Sequence, residues 1–252
     1  MNSWDLIPIL LLMLFSIALG GGTAIVLLVL HWRRREFDLR SISTDHNEGY
    51  FSGLIPLRAP FLRRPTVWLA IRNHNLVAVQ SALALHNAKP TSLVDGRVSS
   101  QELLIAPPFR GWILVFGSGL PNPADDVDVC FRFLLDLSRK LGHVQFFVAD
   151  QVLCHHAWAQ AEAGRVIRAY AWAGQTLWNQ GIKTVAELKL GFKCFNYGEL
   201  SEGAVWNRNE VMAANADKVP LLAAHWSLDP AEVQFRLAEQ GGGITGEMRR
   251  IY

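Results

Sequence analysis

Residues 143–173 read HVQFFVADQVLCHHAWAQAEAGRVIRAYAWA, and their patterning decides the fold class. His143–Ala149 is a run of β-branched and aromatic residues that reads as a strand. Val152–Gln160 and Arg165–Ala173 flank the turn signal Glu162-Ala163-Gly164 and read as a hairpin. In the second arm Val166, Arg168, Tyr170 and Trp172 alternate with Ile167, Ala169 and Ala171, the period of two expected of a strand. Strands joined by so short a turn must pair antiparallel.

Outward toward the N-terminus, Thr66–Arg72 (TVWLAIR) reads as a strand. Glu102–Ala106 and Trp112–Phe116 read as two more, separated by Pro107-Pro108. Asn75 is placed to cap a helix running to about Asn87 and stopped by Pro90. The plainest helix spans Pro123 to Leu141, with Asn122 as its cap and Pro123 at its first position. Asp125 and Asp126 fall in its first turn and Arg139 and Lys140 in its last, and Gly142 closes it. Toward the C-terminus, Thr184-Val-Ala-Glu187 is a capping box. Asp229-Pro230-Ala231-Glu232 starts another helix, with Leu228 and Val233 as a hydrophobic staple and Gly241 at its end. No regular βαβ repeat emerges. The expectation is an α+β domain over residues 67–241 with a mainly antiparallel sheet, large enough to bury its own core, and a flexible tail over 242–252.

The N-terminal region carries a different signal. No residue from Leu6 to Leu30 is charged, and about 20 apolar residues suffice to cross a bilayer as a helix. Residues 6–31 therefore read as one transmembrane helix, with 1–5 outside. Trp4 and Trp32 sit where aromatic side chains favour the headgroup zone, and Arg33-Arg34-Arg35 follow at once. By the positive-inside rule the body of the protein lies in the cytoplasm and the anchor is single-pass in the cell membrane. A cleaved signal peptide would carry its positive charge before a shorter apolar run. Ser16, Gly20 and Ala24 recur at every fourth residue, a spacing that lets membrane helices self-associate. Residues 32–66 read as a basic juxtamembrane segment and a Pro/Arg-rich linker in contact with the lipid bilayer or solvent.

Composition narrows the function classes. The formal net charge is +2, from 24 Lys+Arg and 22 Asp+Glu. A field this weak gives no reason to expect a nucleic-acid partner. Three cysteines, Cys130, Cys154 and Cys194, are too few and too widely spaced for a disulfide framework.

Candidate chemistry is sparse, and no cofactor is expected. Gly117-Ser118-Gly119 stands between a strand and a helix, as a phosphate cradle would. It lacks a third glycine in register and any Gly-Lys-Ser/Thr, and Asp125, Asp126 and Asp128 would repel phosphate. Cys154, His156 and His143 are of the type that ligates zinc. Alternation puts Cys154 and His156 on one strand face with Trp158, and His155 on the other, so three ligands do not converge locally. A nucleophile–base pair from Cys154, His155, His156 and Asp150 is the basis for an alternative reading as a membrane-tethered hydrolase. Trp178 and Trp206 stand in polar, loop-like contexts and, with Arg168 and Tyr170, suggest an exposed contact surface. The leading expectation is a single-pass membrane protein whose cytoplasmic domain binds a protein partner as an adaptor, a sensor or an immunity-type module.

Overall fold

Among the described residues nine strands join in a single sheet whose neighbours are all antiparallel. The computed structural model describes residues 66–91, 102–199 and 205–248, without the side chains of Thr91, 205–210 and Gln240. All belong to one compact unit, Arg58–Tyr252. The strands are β1 (Val67–Ile71), β2 (Leu85–Thr91), β3 (Glu102–Ile105), β4 (Ile113–Phe116), β5 (His143–Asp150), β6 (His155–Glu162), β7 (Arg165–Trp172), β8 (Thr176–Gln180) and β9 (Gly243–Met248). Their order is β2-β9-β3-β4-β1-β5-β6-β7-β8. The α+β, mainly antiparallel expectation holds.

Helices cover both faces, which is why so many strands are apolar throughout rather than alternating. On one face α1 (Leu76–Ala82) and α2 (Val127–Leu141) bury Val79, Leu83, Cys130, Leu134 and Leu137 against the sheet. On the other, α3 (Val185–Lys189), α4 (Val205–Trp226) and α5 (Pro230–Gln240) enclose a second core. This one is aromatic: Trp68, Phe147, Trp158, Tyr170 and Trp172 meet Phe192 and the α4 residues Met212, Val219 and Leu222.

The hairpin around residue 163 is present, and β5 and β6 pair in full register from His143↔Glu162 to Asp150↔His155. β7 departs from simple alternation. The register passes from Gln160↔Arg168 to Ala161↔Val166, so Ile167 is an extra, bulged residue. The bulge turns Val166 to the α2 side while Tyr170 and Trp172 stay on the α3–α4 side.

Several boundaries differ from the sequence reading. α2 is capped by Asp126, whose side chain accepts from the Val129 amide at 3.0 Å, while Asn122 caps only the preceding turn through Ala124. The helix after Asn75 stops at Ala82. Residues 85–91 form β2, with Ala84 and Asn87 at positive φ. Pro90 is tolerated there because β2 is an edge strand. Residues 176–180, read as loop, form the edge strand β8. Residues 205–226 form α4, whose Asn- and Ala-rich first half and internal Pro220 mask any apolar stripe. Residues 243–248, taken as flexible tail, form β9, paired on both sides by β2 and β3. That pairing satisfies its backbone polar groups without needing a strongly apolar sequence. The capping box at Thr184 and the Asp229 cap are both present, and Leu228 and Val233 are buried as a staple requires.

The anchor residues Trp4, Ser16, Gly20, Ala24, Trp32, Arg33, Arg34 and Arg35, and the linker, lie outside the described residues. Among the described residues no helix is long and apolar enough to cross a membrane.

Candidate functional site

α3 is five residues long, too short to be stable alone. Its position is set by one carboxylate. Glu187 is the third helical residue, and its Oε2 accepts from the Thr184 amide at 2.7 Å while the Thr184 hydroxyl accepts from the Glu187 amide. The same side chain points into the protein and is fully buried. Its Oε1 accepts from Arg168 Nη2 at 2.8 Å, Arg168 Nε at 2.9 Å and Trp158 Nε1 at 2.8 Å. Arg168 is 1% exposed and Glu187 0%.

A buried ion pair holds only if its remaining donors are matched. Here they are. Arg168 Nη1 donates to Asn179 Oδ1 at 3.0 Å and to the carbonyls of Ala169 and Gln180 at 2.9 Å, and Nη2 reaches Cys194 Sγ at 3.5 Å. Gly181 makes this approach possible: at φ +77°, a Cβ there would lie 2.1 Å from the Ile167 carbonyl oxygen. Burial pushes the Cys194 thiol up to about 11, so it is a protonated filler rather than a reactive thiolate. Burial likewise raises the Tyr170 hydroxyl, which accepts from the Phe195 amide at 3.1 Å.

A second buried polar group lies beside this pair. His156 is 1% exposed and stacks on Trp158 with ring centroids 5.8 Å apart. Its Nδ1 lies 3.3 Å from the Cys154 carbonyl and must donate to it, which leaves Nε2 to accept from Asn215 Nδ2 at 3.5 Å. Asn215 in turn bridges the Lys193 amide and carbonyl, tying α4 to the segment after α3. Burial, opposed by the Cys154 hydrogen bond, pushes the His156 pKa down to about 3. The ring is neutral at physiological pH.

The outer surface of α3 is the opposite of its inner one. Ile182, Val185 and Leu188 are 90%, 67% and 63% exposed, and Ile167 on the adjoining bulge is half-exposed. Lys189 and Lys193 are exposed nearby, and Lys183 is fixed by its bond to the Phe192 carbonyl. Isolated exposed aliphatics are ordinary. Here three of them fall within seven residues of chain, at and just before a helix held by a buried ion pair.

The residues singled out from the sequence fall in other roles. Arg168, Tyr170 and Trp178 are buried, so they do not form an exposed contact surface. Arg168 and Tyr170 belong to the α3 mount, and Trp178 packs edge-on against Phe131 of α2. The contrast arises because polar neighbours in sequence say nothing of what covers an edge strand. Trp206 lies in α4, and its side chain is outside the described residues. Asp150 accepts from the Val152 and Leu153 amides at 3.0 Å and so caps a turn. Cys154 sits in that turn at φ +54°. His155 faces away from His156, beside a gap of only about 10 Å³ near Asn122 and Leu177, no larger than one water needs. His143 is at the far end of the β5–β6 pair from His156, opposite Glu162. It contacts Gln145 and packs against Trp112.

Among the described residues no three His, Cys, Asp or Glu side chains gather as a metal site. Gly117 packs against the Glu102 carbonyl, where a Cβ would lie 2.6 Å away. That accounts for the glycine through close backbone approach. The one sequence signal near the exposed aliphatics of α3 is that Ile182, Val185 and Leu188 lie around the Thr184–Glu187 capping box. In comparisons with known proteins, no family model, no curated protein and no solved structure matches this chain.

Proposed function

We propose that this chain is a single-pass membrane protein whose cytoplasmic α+β domain is a protein-binding module, adaptor, sensor or immunity-type. It docks a partner on the outer face of α3. One observation carries the docking surface: Val185 and Leu188 stand exposed on a helix whose inner side is pinned by a buried ion pair, with Ile182 exposed just before its cap. A rigid mount matters because a preorganised surface loses little conformational entropy on binding. The aliphatic centre with lysines beside it suits a partner that offers an apolar strip bordered by acidic groups.

The membrane half of the reading is supported by sequence alone: the uncharged run from Leu6 to Leu30 and the arginines that follow it. Tethering would confine the domain and its partner to one surface and raise their effective concentration.

The test is chemical cross-linking of the full-length protein in its own membranes, read by mass spectrometry. Cross-links from Lys183 and Lys189 to one dominant partner protein are expected. Val185→Asp with Leu188→Asp should abolish them while leaving the melting temperature unchanged. An unaltered cross-link pattern in that variant would refute the ridge as the docking surface. Recovery of the full-length chain in the soluble fraction after detergent-free lysis would refute the anchor.

A further inference from the structure

The turn between β5 and β6 projects two neighbouring aliphatic side chains into solvent: Val152 is 85% exposed and Leu153 60%. Its backbone is fixed. Asp150 Oδ1 accepts from the Val152 and Leu153 amides at 3.0 Å each, and Gln151 Nε2 donates to Asp217 Oδ1 of α4 at 2.6 Å. The turn sits at the end of the sheet where the chain enters the domain. The Ala149 amide donates to the Thr66 carbonyl at 2.8 Å, and Val67 pairs with Val148. The covalent link to the uncharged run from Leu6 to Leu30 therefore joins the domain beside the base of this turn.

We propose that Val152 and Leu153 dock the domain on the bilayer by entering the boundary between headgroups and acyl chains, a reading that rests on the N-terminal run being a membrane anchor. Lipid suits this tip better than protein. A stable protein interface takes roughly 20–30 residues a side, and two side chains on a four-residue turn offer no such area. A bilayer demands no matching shape and accepts apolar groups roughly 5–10 Å deep. A turn already fixed by hydrogen bonds gives up little conformational entropy on entering. Two aliphatic groups would hold a free domain poorly, but a tether keeps the domain at the surface and makes docking intramolecular. The carboxylates of Asp150 and Asp217 flank the tip, while Lys218 is turned to the Gly191 carbonyl. The surface that fits is therefore zwitterionic lipid, since anionic headgroups would meet like charge.

The test places the full-length protein in phosphatidylcholine vesicles whose acyl chains carry a photoreactive diazirine. After irradiation, adducts are located by mass spectrometry. Val77, 67% exposed in the first turn of α1, follows the opposite end of β1 and reports chance collisions of a tethered domain. Docking predicts at least ten-fold more adduct over residues 151–154 than over the peptide around Val77. Val152→Ser with Leu153→Ser, at exposed positions where substitution leaves the fold intact, should bring the two peptides to parity without changing adducts over residues 6–30. Equal labelling of the two peptides in the parent overturns docking and leaves the anchor standing. So does an excess that the double variant retains. Absence of adducts over residues 6–30 refutes the anchor reading, and docking falls with it.

Discussion

The two helical layers on the sheet are held by different physics. On the α1–α2 side the buried contacts are mainly aliphatic, with Phe133, Phe146 and Trp178 among them, and the buried polar side chain of α2, Ser138, bonds the Leu135 carbonyl within the helix and the Gly164 amide in the β6–β7 turn. On the α3–α4 side the core is aromatic and threaded with polar groups: Arg168, Glu187, His156, Asn215 and Gln145 are all buried. The two buried polar atoms without a partner among the described residues, Trp68 Nε1 and Gln145 Oε1, also lie there. Aliphatic packing supplies stability and tolerates some rearrangement. Hydrogen-bonded charge demands one geometry, since any shift leaves a buried donor or acceptor unmatched. The layer carrying the proposed docking ridge is thus the layer whose geometry is most tightly specified.

The contrast can be broken most forcefully at Glu187. Glu187→Ala leaves the Arg168 guanidinium buried without its counter-ion and removes a helix cap, which should cost about 4–5 kcal/mol in urea unfolding. Replacing both partners, Arg168→Met with Glu187→Leu, should cost less than the single change, because no buried charge is stranded. A double variant as unstable as the single one would mean that the pair is not the pin.

On the aliphatic side Leu134→Ala, at a fully buried position, should cost about 3 kcal/mol. It should leave the α3 ridge in place, as judged by unchanged cross-links from Lys189.

pH sharpens the comparison further. His156 has a folded pKa near 3 against 6.5 in the unfolded chain, so below pH 6.5 the unfolded state takes up a proton that the native state refuses. Its contribution is full above pH 6.5 and is lost as pH falls through the window from 6.5 to about 3. Each unit is worth about 1.4 kcal/mol. Between pH 6.5 and 5.0 the parent should therefore lose about 1.6 kcal/mol more stability than a His156→Gln variant. Equal losses would show that the imidazole is protonated in the native state.

The smallest expected effect on stability is at the ridge. Val185→Asp and Leu188→Asp should each stay within about 0.5 kcal/mol, while removing the partner.

Much of the architecture was legible along the chain. The β5–β6–β7 meander follows from short-range alternation and a turn, and the helix starts at Asn75, Thr184 and Asp229 follow from capping chemistry. All of these are settled within a few residues. The edges of the reading failed where local signals competed. Asn122 resembled a cap, but Asp126 took the role. Residues 205–226 lack contrast because their first half is Asn- and Ala-rich. Trp178 sat among polar neighbours yet turned inward from an edge strand. The candidate surface was almost illegible, because exposure depends on what packs alongside.

By itself the sequence determined periodicity, caps, the near-neutral charge and the long uncharged N-terminal run, because each is a property of consecutive residues. Only the tertiary structure decided that β9 inserts between β2 and β3, that the capping glutamate of α3 meets an arginine 19 residues earlier, and that His156 stays neutral. Those outcomes depend on pairing between distant segments and on the loss of water around charged groups. Neither quantity exists until the chain has folded.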